Sequence, residues 1–168
     1  MSTELPTLTK RKLQAEVIGP IFAEMVAEFG QEKAEEILDR AIRKAAINEG
    51  KAFAARAPGG KPSMEDFIKL FELWTTGGAL EIDVLQATDK AFDFNVTRCR
   101  YAETYRAMGI GELSAVLSCN RDGAFCEGFD PKIQMQRTQT IMGGADHCDF
   151  RYTRPAEDGA AEGSAKRS

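Results

Sequence analysis

Gly77-Gly78-Ala79-Leu80-Glu81-Ile82-Asp83-Val84 and, beyond Ala87-Thr88-Asp89-Lys90, Phe92-Asp93-Phe94-Asn95-Val96 decide the fold. Leu80, Ile82 and Val84 alternate with acids, and Phe92, Phe94 and Val96 alternate with Asp93 and Asn95. A period of two is the mark of half-buried strands, and the polar break predicts an antiparallel pair. Further on, Cys148, Phe150 and Tyr152 alternate with Asp149, Arg151 and Thr153, after a turn supplied by Gly143-Gly144-Ala145-Asp146. The partner of that strand is read as one long strand with Ile133, Met135 and Ile141 on one side.

Upstream of Gly77 the period is helical. Leu13, Val17 and Ile21, widened by Ile18, Phe22, Met25, Val26 and Phe29, form an apolar face. Pro20 interrupts it and predicts a kink or the first turn of a second segment. A second helix is expected from about Glu32 to Arg56, with Ala34, Ile37, Leu38, Ala41, Ile42 and Ala45 inward. Glu36 with Arg40 and Asp39 with Arg43 are i,i+4 pairs on its wet side. Ser63 is placed to cap a third helix carrying Phe67, Leu70, Phe71 and Trp74. Tyr101 to Met108 reads as a short helix ended by Gly109, and Glu112 to Leu117 as a turn or two delivering Cys119.

The class expected is α+β: an N-terminal helical segment, about 10–75, packed with a roughly four-stranded antiparallel sheet in 78–153. Residues 1–153 are read as one domain, and 154–168, built of small and charged residues, as a disordered tail. A chain of 168 residues, 43% hydrophobic and 29% charged, can bury a core without cross-links. Its net charge of -4 is spread without a basic stripe, which argues against nucleic acid as partner. No apolar run reaches the roughly 20 residues that span a bilayer, and no secretion signal opens the chain. A cytoplasmic location is therefore expected, with free thiols at Cys99, Cys119, Cys126 and Cys148.

The chemistry gathers in the last third. Cys119 attacks carbon only as a thiolate, and Asp122, three positions on, would raise its pKa by like charge. Asp122 fits better as a proton shuttle or an anchor for an amino or amidine group. The plain alternative makes Cys119 a buried small hydrophobe and Asp122 a cap. Arg137, placed within a strand, needs a partner: an internal carboxylate such as Asp149, or a substrate carboxylate gripped by its planar fork. His147 is the only imidazole and sits by the turn. Zinc on Cys99, Cys119, Cys126, Cys148 and His147 is an alternative, but the spacings contain no CxxC knuckle. Gly59-Gly60-Lys61 lacks the frame of a phosphate loop.

Cys119-x-x-Asp122, Phe129-x-Pro131, Arg137-Thr138-x-Thr140 with Gly143, and Cys148-Asp149-Phe150 resemble the L-2-amino-thiazoline-4-carboxylic acid hydrolase family. Arg98-Cys99-Arg100-Tyr101-Ala102-Glu103, ahead of Gly109 and Glu112-Leu113, fits the same family, so the likeness spans about 75 to 153. It implies opening of a small cyclic amidine by water, toward an N-carbamoyl amino acid. On the matching positions, chemistry makes Cys119 the nucleophile, and Asp122 the group that orients or protonates the ring. Asp149 is the reserve general base. Arg137 becomes the carboxylate clamp, with Thr138 and Thr140 as lesser donors. Cys148 and His147 complete the expected substrate contacts, although His147 lies outside the resembling motif. Asn120-Arg121, within the Cys119 to Asp122 segment, departs from the pattern: its positive charge beside the expected site would favour a different anionic substrate, a larger or non-thiazoline ring. No organic cofactor is expected, a divalent metal is the alternative, and homo-oligomerisation is left open. A ligand-binding or sensory domain without turnover is the competing reading.

Overall fold

The computed structural model describes residues 5–156, so most of the expected tail lies outside the described residues. Two long helices, α1 (Thr7–Phe29) and α2 (Gln31–Ala54), meet at Gly30, whose φ of 82° reverses the chain without a linker. Helix α3 (Met64–Thr75) starts as expected at Ser63, which forms a reciprocal capping box with Asp66. Strands β1 (Leu80–Ala87) and β2 (Ala91–Cys99) form the expected hairpin and run into α4 (Arg100–Ala107). A short π-helical turn, Ala115–Cys119, leads to α5 (Asn120–Phe129), and β3 (Gln134–Gln136) and β4 (Cys148–Thr153) close the sheet.

The sheet is antiparallel throughout, in the order β1-β2-β4-β3. Its register sets Phe92 opposite Tyr152, Phe94 opposite Phe150 and Val96 opposite Cys148. All six side chains are buried, so one face of β2 and β4 is the floor of the core. Helix α3 lies on it through Phe71, 4.6 Å from the Phe94 ring centroid, and Phe67, 4.9 Å from Tyr152. The result is the α+β arrangement expected.

Helices α2 and α5 form the tightest junction. A Cβ on Gly50 would stand 2.7 Å from the Phe129 nitrogen, and one on Gly128 2.8 Å from the Ile47 carbonyl carbon. Each glycine thus lets the facing backbone sit where a side chain would begin. Polar contacts lock the register: Asn120 Nδ2 donates to Asp39 Oδ1 at 2.6 Å, and Arg43 pairs with Glu127 at 2.7 Å. Asp39 and Arg43, expected to pair along α2, reach across to α5 instead.

The sequence reading is corrected here at four points. Leu13, Val17 and Ile21 are exposed, and α1 buries Arg11, Ala15 and Phe22, of which only Phe22 belongs to the expected face. The helix is apolar on more than one side: Ile18, Phe22, Met25 and Val26 of the expected face do meet the core, while Leu13, Val17, Ile21 and Phe29 stay out. It also continues through Pro20, which sits exposed inside it. Helix α5 was not anticipated, because Asn120, Gly123, Cys126 and Gly128 are weak helix formers. Finally, the long strand through Ile141 is only Gln134–Gln136, and residues 137–147 form a loop.

Replacing Gly128 by alanine is expected to cost about 3 kcal/mol or more, since backbone rather than a mobile side chain blocks the methyl. Thermal unfolding should register this as a Tm lower by roughly 6 °C or more. An unchanged Tm would show that α2 and α5 can separate freely.

Candidate active site

A cavity opens between the helices and the sheet floor. Its apolar wall includes Phe67, Phe71, Trp74, Phe125 and Phe150, and its polar wall carries Cys119, Asp122, Arg11, Glu49 and Arg121. Cys99 and Cys148 line it as well, so three of the four cysteines, all free, converge on one space.

The π turn ends at Cys119 and α5 begins at once, which places Cys119 and Asp122 one turn apart on the cavity side. Asp122 keeps 28% of its side-chain surface open, on the cavity side, and the rest is enclosed by protein. That enclosure pushes its carboxyl up to about 6, although Arg137 Nη1 donates to Oδ2 at 2.7 Å and pulls the other way. Burial, with the Asp122 charge, pushes the Cys119 thiol up to about 12. Its Sγ donates to Met142 Sδ at 3.1 Å. Cys148 Sγ accepts the Ile141 N–H at 3.2 Å, and Cys99 Sγ accepts the Ala102 N–H at the start of α4.

The other expected site residues take up positions behind the wall. The Arg137 fork is occupied by Asp122 and by the Cys119 carbonyl at 3.2 Å, and its guanidinium covers the outside of the Phe150 ring at 4.9 Å. It is a loop residue, not a strand residue, and it does not line the cavity. Asp149 holds the loop: it accepts the N–H of Thr138 at 2.9 Å, that of Gln139 at 2.8 Å and the Thr138 hydroxyl at 2.6 Å. Slight burial pushes the Asp149 carboxyl up, but these donors outweigh it and hold it at about 2. Thr140 Oγ1 accepts the Gly143 N–H at 2.9 Å and closes the turn. His147 Nδ1 lies 2.6 Å from Asp146 Oδ1, away from the cavity wall. Cys126 is buried in α5 off the wall, its thiol pushed up to about 12 by burial. Among the described residues no three His, Cys, Asp or Glu side chains come together to hold a metal, and the five-residue zinc set is not assembled.

Sequence reading missed a second polar group. Glu49 Oε2 accepts from Arg11 Nη2 at 2.9 Å and from Arg121 Nη2 at 2.6 Å, joining α1, α2 and α5. Burial pushes the Glu49 carboxyl up, but two guanidiniums outweigh it and hold it below the usual range. The available signal was Arg11, four residues before Ala15 on the stripe that is buried.

A family model describing L-2-amino-thiazoline-4-carboxylic acid hydrolase matches residues 10–152. The chain belongs to this family. It is accordingly a hydrolase acting on a small, amidine-like ring. No curated protein matches the chain by sequence. Among solved structures it is similar to the phenol-responsive sensory domain of the transcription activator PoxR with phenol. That likeness has a TM-score of 0.52 and 14% identity, over 82% of this chain and 73% of that one. It is also similar to a trafficking protein particle complex subunit 3 from Naegleria fowleri covalently bound to palmitic acid. There the TM-score is 0.50 with 10% identity, over 88% of this chain and 96% of that one. Both likenesses concern the fold alone. No helix among the described residues is long and apolar enough to cross a membrane.

Asp149→Ala is expected to lower stability by about 1–3 kcal/mol through loss of the loop anchors, read from denaturant unfolding. Because its folded pKa is depressed, the Asp149 contribution is full above about pH 4. It fades as pH falls through about 2. A wild-type and variant difference that stays constant from pH 6 to pH 2 would contradict this assignment.

Proposed function

We propose that the cavity opens 2-amino-thiazoline-4-carboxylate, or a closely related anionic ring, with Cys119 as nucleophile and Asp122 as proton carrier. One observation carries this reading: an enclosed carboxyl, poised at about 6, stands one helical turn from a thiol on the same cavity wall. A group whose pKa lies near the working pH both accepts and returns a proton readily.

A thiol at about 12 is almost wholly protonated at neutral pH, so its proton must leave during attack. Cys119 sulfur bonds to the ring carbon that carries the amino group while Asp122 takes the thiol proton. The bond from that carbon to the ring sulfur breaks, and the departing sulfur receives the proton from Asp122. An isothiourea now links Cys119 to the opened chain. Water adds to the same carbon and Cys119 is released. One water hydrogen ends on the imino nitrogen and the other on the Cys119 sulfur. The former C=N carbon leaves as the carbonyl of an N-carbamoyl group. Arg137 acts as a positioning residue: it holds Asp122 and fixes the Cys119 carbonyl.

Incubation with L-2-amino-thiazoline-4-carboxylate should yield N-carbamoyl-L-cysteine by mass spectrometry. Cys119→Ala is expected to fold and to lose about 10³-fold or more in kcat. Retained turnover would assign the attack to water, with Asp122 as its base. For the wild type, kcat/KM should rise about tenfold per pH unit below about 6 and level off above it, because the ionised carboxylate is the acceptor. Asp122→Asn should remove that limb along with most of the activity. The likeness to a phenol-responsive domain supports a second reading, binding without turnover, which predicts a stabilising ring recovered unchanged.

A further inference from the structure

We infer that Arg11 and Arg121, bridged by Glu49, form the carboxylate subsite of this cavity and select ring substrates bearing an acid group. The inference rests on the reading of the cavity as the ring-binding site. Both arginines are enclosed, at 5% and 8% exposure, and both line the cavity. Two guanidiniums and two carboxylates line the cavity, but Arg137 answers Asp122 from behind the wall, so the single Glu49 answers both Arg11 and Arg121. One positive charge is therefore left without a protein partner, an arrangement that burial makes costly.

The donors tell the same story. Arg121 spends one of its N–H groups, on Glu49, and Arg11 spends two, on Glu49 and Gln14. Guanidinium offers five donors and never an acceptor, so most remain to be satisfied. Among the described residues the one fully enclosed side-chain polar atom without a partner is Asp93 Oδ1. Both arginines line the cavity, so that is the space to which their spare donors are offered. Two forks pinned by one carboxylate suit a planar carboxylate arriving from the other side. Arg121 also adjoins Asp122 in sequence, so the acid subsite and the proton carrier sit side by side at the start of α5. A ring with an amidine at one end and a carboxylate at the other would meet Asp122 with the first and the arginines with the second.

The test compares 2-amino-2-thiazoline with its 4-carboxylate by calorimetric binding to the full chain carrying Cys119→Ala, so that neither ring is turned over. The carboxylate should bind roughly tenfold or more tightly than the plain ring. Adding Arg121→Gln or Arg11→Gln should reduce that preference to about twofold or less while leaving the plain ring bound. Glu49→Gln distinguishes a subsite from a merely structural bridge: it frees both forks and should keep or increase the preference. If the glutamine variants unfold, Arg121→Lys, which retains the charge and loses the fork, should weaken the carboxylate selectively. A preference unchanged in folded variants, a preference lost in Glu49→Gln, or no binding of either ring would overturn the inference. Absence of N-carbamoyl product from the wild type, with the carboxylate preference intact, would instead count against the hydrolytic reading alone.

Discussion

The backbone-to-backbone approach of α2 and α5 at Gly50 and Gly128 is the constraint on which the site depends. Neither helix makes the cavity wall alone: α2 supplies Glu49, and α5 supplies Arg121 and Asp122. With side chains at the two glycines, the axes would stand further apart and Glu49 would no longer reach Arg121 at 2.6 Å. Close packing leaves no slack for that bond to follow. Asn120 with Asp39 and Arg43 with Glu127 then fix the sliding register of the same pair. Helix α1 joins through Arg11, whose interhelical bond among the described residues is to Glu49.

Enclosure gives the two carboxylates of the cavity opposite characters. Glu49 faces two guanidiniums, which outweigh its burial and keep it a firm anion. Asp122 has one direct guanidinium, and burial wins, leaving a carboxyl at about 6. The count of arginines thus separates a firmly ionised acid from one whose carboxyl stands at about 6. Arg137 serves this division from outside the cavity, because its fork is filled by Asp122 and a main-chain carbonyl. Asp149 in turn fixes the loop that follows Arg137, through the Thr138 and Gln139 amides.

The strands β1, β2 and β4, the capped start of α3 and the α4 segment were legible because each carries its own local signal: alternation, a Ser63–Asp66 box, a stop at Gly109. Cys119 and Asp122 were legible as a pair, since their spacing is local. The rest failed for physical reasons that differ by element. Helix α5 carries Gly128 where it meets the α2 backbone and Gly123 besides, and the two glycines hide its helical character. Residues 137–147 look strand-like in composition, yet their amides are bonded by Asp149 and by turns rather than a ladder. On α1 two apolar stripes compete, and only the partner surfaces decide that Arg11 goes in and Val17 stays out.

By itself the sequence determined the α+β class, the antiparallel alternation and the Cys119–Asp122 pair one helical turn apart, because these are set within a few residues of chain. Tertiary structure alone decided that Arg137 braces Asp122 from behind, that three thiols share one cavity, and that Arg11, Glu49 and Arg121 meet. Those side chains lie far apart in sequence, on α1, α2 and α5. Burying their charges together is tolerable only where helix packing brings opposite charges into bonding distance. No local pattern records that distance.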